Sequence, residues 1–142
     1  MLTIIRGLPG SGKSTLGRRL AAEQNALFIE PDMLMYQNGE YKYDPAAYSV
    51  VVGSTYLVLR EFFAYTPQAH AIFADVLPRK IDVQHLIQYL HNQRYVKVID
   101  MPLLSVEESI RRNIHRVRRE DIEYMAKLWE PWEENNKRKG TK

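Results

Sequence analysis

"GLPGSGKST" (Gly7–Thr15) decides how the rest of this chain is read. It satisfies G-x-x-x-x-G-K-[ST] at every fixed position, the pattern of a glycine-rich turn that wraps phosphate. Just before it, Leu2–Ile5 is a short apolar, β-branched-rich run, as in a buried parallel strand. Just after it, from Lys13 to about Gln24, apolar residues fall at helical spacing, with Leu16, Leu20 and Ala21 on one face. A helix starting there offers unpaired N–H groups and a partial positive charge to an anion. Gly7, Gly10 and Gly12 let the backbone approach the phosphates where a Cβ would clash. The expected nucleotide contacts are Gly7, Pro9, Gly10, Ser11, Gly12, Lys13, Ser14 and Thr15. Lys13 reaches the β/γ-phosphates, and the Ser14 hydroxyl is the expected magnesium ligand.

Outward from the loop, strands and helices alternate. "ALFIE" (Ala26–Glu30) is a second strand, stopped by Pro31, and "YQNGEYKYD" is loop-like. Val52, Tyr56, Leu59 and Phe63 step by three or four and predict a helix from Pro45 to about Ala64. "AIFAD" (Ala71–Asp75) is a third strand, Val83, Leu86, Ile87 and Leu90 mark a helix, and "VKVIDM" (Val96–Met101) is a fourth strand. Ser105 and Glu108 have capping-box spacing and predict a helix with Ile110 and Ile114 on its buried side. A last helix is expected from about Glu120 to Trp129. The pattern implies an α/β fold of three layers, a mainly parallel sheet of about four strands between helices. Ligands in such folds sit beyond the carboxyl ends of the strands.

The 142 residues suit one domain, expected over 1–132, with a basic tail over 133–142 that should fray. Net charge is +3, but five arginines lie between Arg111 and Arg119 and four cations between Lys137 and Lys142, a clustering that suits a polyanion. With no cysteine, disulfides and thiolate metal sites are excluded, which is compatible with the cytoplasm. "MLTIIRG" is too short for a signal peptide, and no apolar run approaches a membrane span.

Three groups near the strand ends could carry chemistry. Asp75 closes an apolar run, as an acid does that helps hold magnesium in concert with the loop hydroxyl, although strand-ending Asp is also a common capping residue. Asp32 follows the second strand and should face the same sheet edge as Lys13. A carboxylate there can take the proton of an acceptor hydroxyl as the new P–O bond forms; alternatively it caps a short helix starting at Pro31 or Asp32. Arg112 and Arg116 share a helical face on the spacing, in a lid region of about 111–120, where arginine can stabilise a transferring phosphate.

Taken together, "GLPGSGKST", Asp32, "EYKY" (Glu40–Tyr43) and "RNIHR" (Arg112–Arg116) resemble the kinase domain of the bacteriophage 5′-polynucleotide kinase family, along nearly the whole chain. The resemblance implies a P-loop kinase fold with a helical lid, and an ATP- and magnesium-dependent kinase acting on 5′-hydroxyl ends of DNA or RNA. It implies Asp32 as general base, Arg116 at the transferring phosphate, and Arg112 helping to hold the nucleotide. Homo-oligomers are known in the family, and a phage-encoded member would work in the host cytoplasm. Two departures stand out. Pro31 replaces a basic residue, and Met35 stands where a cation contacts the acceptor's 3′-phosphate; methionine cannot do that. Either Arg79 or Lys80 does that work or the acceptor lacks the phosphate. The phosphatase domain that some members add is expected to be absent. The leading reading is a kinase for a hydroxyl of a nucleic acid or nucleotide. A small-molecule or modified-base kinase and a non-catalytic ATP-binding module are the alternatives.

Overall fold

In chain order the elements are β1 (Leu2–Arg6), α1 (Lys13–Gln24), β2 (Leu27–Ile29), a 3-10 turn (Pro31–Leu34), β3 (Tyr36–Gln37), β4 (Glu40–Tyr41), α2 (Pro45–Tyr65), β5 (Ala71–Asp75), α3 (Lys80–Tyr89), β6 (Val96–Asp100), α4 (Val106–Arg112) and α5 (Arg119–Leu128). The computed structural model describes residues 1–90, 95–113, 115 and 117–132. The basic tail over 133–142 and two lid residues, Ile114 and Arg116, lie outside the described residues.

The central sheet is parallel throughout, ordered β2-β5-β1-β6. Because β1 lies between β5 and β6, the chain leaves it in one direction to reach β2 and returns on the other side to reach β6. That reversal opens a crevice at the carboxyl ends, where the glycine loop emerges. Period-two alternation splits the sheet residues between two cores. Leu2, Ile4, Ala71 and Phe73 face Leu59 of α2 and Val83 and Leu86 of α3. Ile5, Ile72 and Ala74 face Ala21, Leu16 and Leu20 of α1. The three expected layers are present. Leu59 is fully buried between the sheet and its neighbours, so truncation to alanine should cost about 2–5 kcal/mol. No described helix is long and apolar enough to cross a membrane.

The structure departs from the sequence reading in two places that matter for the site. The stretch expected as loop contains a hairpin, β3 against β4, pairing Tyr36 with Tyr41 and Gln37 with Glu40. Its turn is Asn38-Gly39, with φ of 52° and 82°, the mirror-image turn whose twist matches that of paired strands. The second departure is in the lid. Helix α4 ends at Arg112, with Asn113 as its cap, and α5 begins only at Arg119. The Asn113 amide donates to the Val117 carbonyl at 2.7 Å and its oxygen accepts from the His115 N–H at 3.2 Å, so a side-chain-braced turn replaces a continuous helix. Arg112 is thus the last residue of α4, and Arg116, expected on the same helical face, lies outside the described residues. The residue α4 buries completely is Ser109, with Ile110 only partly covered.

Candidate active site

The loop is built as its sequence dictates. Gly10 and Gly12 have φ of 82° and 91°, a region that disfavours any side chain. Gly12 is the N-cap of α1 and no side chain caps that helix, which leaves its N–H groups for an anion. Helix α4 lies directly over the loop: a Cβ on Gly10 would fall 2.6 Å from the Cβ of Arg112, and Ser109 Oγ donates to the Pro9 carbonyl at 2.6 Å. Inside the turn the Ser11 hydroxyl is buried and has no hydrogen-bond partner among the described residues. An orphaned donor in a glycine cradle fits an incoming phosphate oxygen.

Pro9, Gly10, Gly12, Lys13, Ser14 and Thr15 line one side of a cleft of about 220 Å³; Gly7 is buried and Ser11 half-buried. The same cleft is bounded by Asp32, Asp75 and Arg112. Three of the groups singled out from the sequence therefore come together opposite the loop; Arg116 lies outside the described residues. Desolvation pushes the Lys13 ammonium pKa down, against the pull of Asp75, Asp32 and Glu30 in that order.

Asp32 stands in the first turn of the 3-10 segment, but the cap of that segment is Glu30. The Asp32 side chain turns to the cleft. Its Oδ1 accepts from the Tyr41 hydroxyl at 2.7 Å, and its Oδ2 lies 3.9 Å from His115 Nε2. The Tyr41 and His115 rings are stacked at 4.2 Å, tilted by 36°, joining the hairpin to the lid turn across Asp32. Tyr41, Tyr43 and His115, with Pro45 and Arg118, also line a vestibule of about 370 Å³ beside it. Burial, the bond to Asp32 and its negative charge all push the Tyr41 phenol pKa up, so it remains a donor.

Asp75 closes β5 as expected. Its Oδ1 accepts from the Tyr48 hydroxyl at 2.6 Å and from the Val76 N–H at 2.8 Å. Burial pushes the Asp75 carboxyl up to about 6, with Tyr48, Val76 and Lys13 opposing. Tyr48 is therefore tied to an acid at the floor of the cleft. The Ser14 hydroxyl, expected to act in concert with Asp75, donates to Glu30 Oε2 at 2.5 Å. Ser14 and Asp75 are hard oxygen donors on the cleft, a pair that fits magnesium completed by nucleotide oxygens. Of the cations proposed to replace the one missing at Met35, Arg79 is closed onto Asp82 at 2.8 Å. Met35 is itself buried, 4% exposed. Arg112 lines the cleft and its Nε donates to Glu108 at 2.6 Å.

Sequence reasoning assigned no role to Glu30, His115 or Ser109, and met Tyr41 only within the "EYKY" motif. The signal for Glu30 was present: like Asp75, it ends an apolar strand at the ligand edge. Also missed was Arg6, the last residue of β1, which is fully buried. Its guanidinium donates to the carbonyls of Leu77, Pro78 and Glu130 and to Asp100, and lies 4.4 Å from the Trp129 ring centre. Leu77 has a φ of 41°, strained for a β-carbon residue, and Arg6 holds its carbonyl there.

A glycine loop leaving an inner strand of a four-stranded parallel sheet, with helices on both faces, is the P-loop kinase fold. The chain belongs to the AAA domain family, whose model matches residues 2–138. Among solved structures it is similar to a chain of the Pnkp1/Rnl/Hen1 RNA repair complex, with a TM-score of 0.71 and 20% identity over 89% of this chain. This chain covers 43% of that one, less than half its length. It is similar to a gluconokinase from Sinorhizobium meliloti (TM-score 0.62, 14% identity, 91% of this chain and 74% of that one). It is also similar to a shikimate kinase from Acinetobacter baumannii in complex with shikimate (TM-score 0.54, 17% identity, 89% and 74%). At these identities the likeness is one of fold.

Proposed function

We propose that this chain is an ATP-dependent kinase that transfers the γ-phosphate to a hydroxyl of a nucleic acid or nucleotide, with a 5′-hydroxyl end as the acceptor. The observation that carries the reading is the placement of Asp32 and Lys13 on one cleft, with one carboxylate oxygen held by Tyr41 and the other toward the lid. The loop N–H groups and Lys13 cradle the triphosphate. Ser14 and Asp75 would hold magnesium, which supplies charge neutralisation between the phosphates. Asp32 accepts the proton of the acceptor hydroxyl as its oxygen bonds to the γ-phosphorus and the bond to the bridging oxygen breaks, releasing ADP. Arg112, and Arg116 outside the described residues, would stabilise charge on the transferring group.

The vestibule of Tyr41, Tyr43 and His115 supports an acceptor carrying a flat heterocycle, because a ring can stack there while its hydroxyl reaches Asp32. The RNA-repair complex among the similar folds agrees with such an acceptor, and the sugar kinases set the competing one. The deciding experiment incubates the protein with γ-labelled ATP and 5′-hydroxyl oligonucleotides, nucleoside 3′-monophosphates, plain nucleosides, sugars and duplex DNA with hydroxymethylated bases. Label on the oligonucleotides or nucleotides is expected. Label confined to sugars, free nucleosides or modified bases would replace this acceptor, and none anywhere would leave a module that binds ATP.

A further inference from the structure

The contact between Ser14 and Glu30 has a chemical consequence. A serine hydroxyl carries one proton and two lone pairs. With the Ser14 proton on Glu30 Oε2 at 2.5 Å, both lone pairs are left for other directions, including the phosphate end of the crevice. Asp75, the acid that would ordinarily take that proton, is engaged by Tyr48 and the Val76 N–H instead. Glu30 is 5% exposed and sits just beyond the end of β2, so its position is fixed by the sheet. Its other oxygen, Oε1, is 3.6 Å from the Arg18 guanidinium, one helical turn along α1 from Ser14. Glu30 is also among the three acids whose charge acts on Lys13.

We propose that Glu30 is the positioning residue of the divalent-cation site. By holding the Ser14 proton it turns the hydroxyl oxygen toward a magnesium ion that arrives with the nucleotide, while Asp75 serves the ion from β5. A neutral partner at position 30 holds the Ser14 proton more weakly, and an absent one frees it to point at the cation's place, where it repels the metal. The proposal rests on the reading of the loop as an ATP site and is independent of which acceptor is used. The bland role for Glu30 is a strand-end brace through Arg18, which would affect folding and leave metal affinity untouched.

The test is calorimetric binding of ADP across a magnesium series and in EDTA, for the wild type, Glu30→Gln, Ser14→Ala and the double variant. In Glu30→Gln the half-saturating magnesium concentration should rise by about 10- to 100-fold, as for other lost partners of metal ligands, with ADP affinity in EDTA unchanged. On the Ser14→Ala background the same change should add nothing. The proposal is overturned by wild-type magnesium dependence in Glu30→Gln, by a full additional effect on Ser14→Ala, or by an equal loss in EDTA. If Glu30→Gln does not fold, Glu30→Asp keeps the charge but withdraws it by one methylene, and should raise the magnesium requirement; wild-type dependence there overturns the proposal as well. Binding is read separately from transfer, so an inactive protein with this magnesium response keeps the inference and loses the kinase reading. A chain that binds no ADP in magnesium loses both.

Discussion

The Tyr48 hydroxyl donates a 2.6 Å hydrogen bond to the carboxylate of Asp75, joining α2 to the end of β5 at the floor of the cleft. The bond compensates a buried acid only in part, because the Asp75 carboxyl still titrates at about 6, above its ordinary 3.8. The folded protein thus holds the Asp75 proton more tightly than the unfolded chain does. This group's contribution is most favourable below pH 3.8, falls as pH rises through about 6, and is level beyond. At about 1.4 kcal/mol per unit, the cost above pH 6 approaches about 3 kcal/mol. Urea unfolding of the nucleotide-free protein from pH 4 to 7 should show that decline in the wild type and lose it in Asp75→Asn. Parallel profiles in the two proteins would contradict the assignment.

Asp32→Asn should slow phosphoryl transfer by about two to four orders of magnitude while ATP binds as before. Single-turnover rates beside ATP titrations separate the two effects. Normal turnover in that variant removes Asp32 from the chemistry.

Tyr41→Phe takes away the donor that fixes one Asp32 oxygen and leaves the ring stacked on His115. A hydrogen bond to a charged group is worth about 1.5–3 kcal/mol, so kcat should fall by about tenfold or more. The KM for ATP should stay put, since Tyr41 is not part of the loop. A rise in that KM with kcat intact would place Tyr41 at the nucleotide instead.

Around the phosphates, Lys13→Ala should damage both ATP binding and rate. Arg116→Ala should cost mainly rate, and a change limited to acceptor affinity would argue against a role at the transferring phosphate. Both are read from full kinetic profiles in ATP and acceptor.

Arg6→Met should destabilise the fold by about 3–5 kcal/mol, because it removes a fully buried guanidinium together with its bonds to Asp100 and to the carbonyls of Leu77, Pro78 and Glu130. Denaturant unfolding measures it directly. A loss below 1 kcal/mol would mean that water or a rearranged Trp129 segment satisfies those groups (about one ordinary hydrogen bond's worth).

The periodic elements were legible because their signals are local. The apolar run Ala71–Ala74 lies between His70 and Asp75 and is a strand over Ala71–Asp75, and the helix expected from Lys13 to about Gln24 spans Lys13–Gln24. The Asn-Gly turn of the hairpin was equally local, yet its strands are two residues each and carry too little alternation to stand out beside it. The end of α4 at Arg112 was hidden for a different reason. Five arginines between Arg111 and Arg119 keep a helical rhythm, but Asn113 spends its side chain on the Val117 carbonyl and the His115 N–H, and such local bonds compete with helix.

By itself the sequence determined the phosphate cradle, since a glycine loop between a strand and a helix needs no distant partner to acquire its shape and its field. It also put Asp32 and Asp75 at the ligand edge, because a parallel strand delivers whatever follows it there. Only the tertiary structure decided which acid serves which group: Tyr41 with Asp32, Tyr48 with Asp75, Glu30 with Ser14. Those bonds join residues from 9 to 27 positions apart, and Arg6 reaches Glu130 across 124. Pairings of that kind depend on how the layers pack, and a hydrogen bond forms or fails within half an ångström, a precision that residue spacing does not carry.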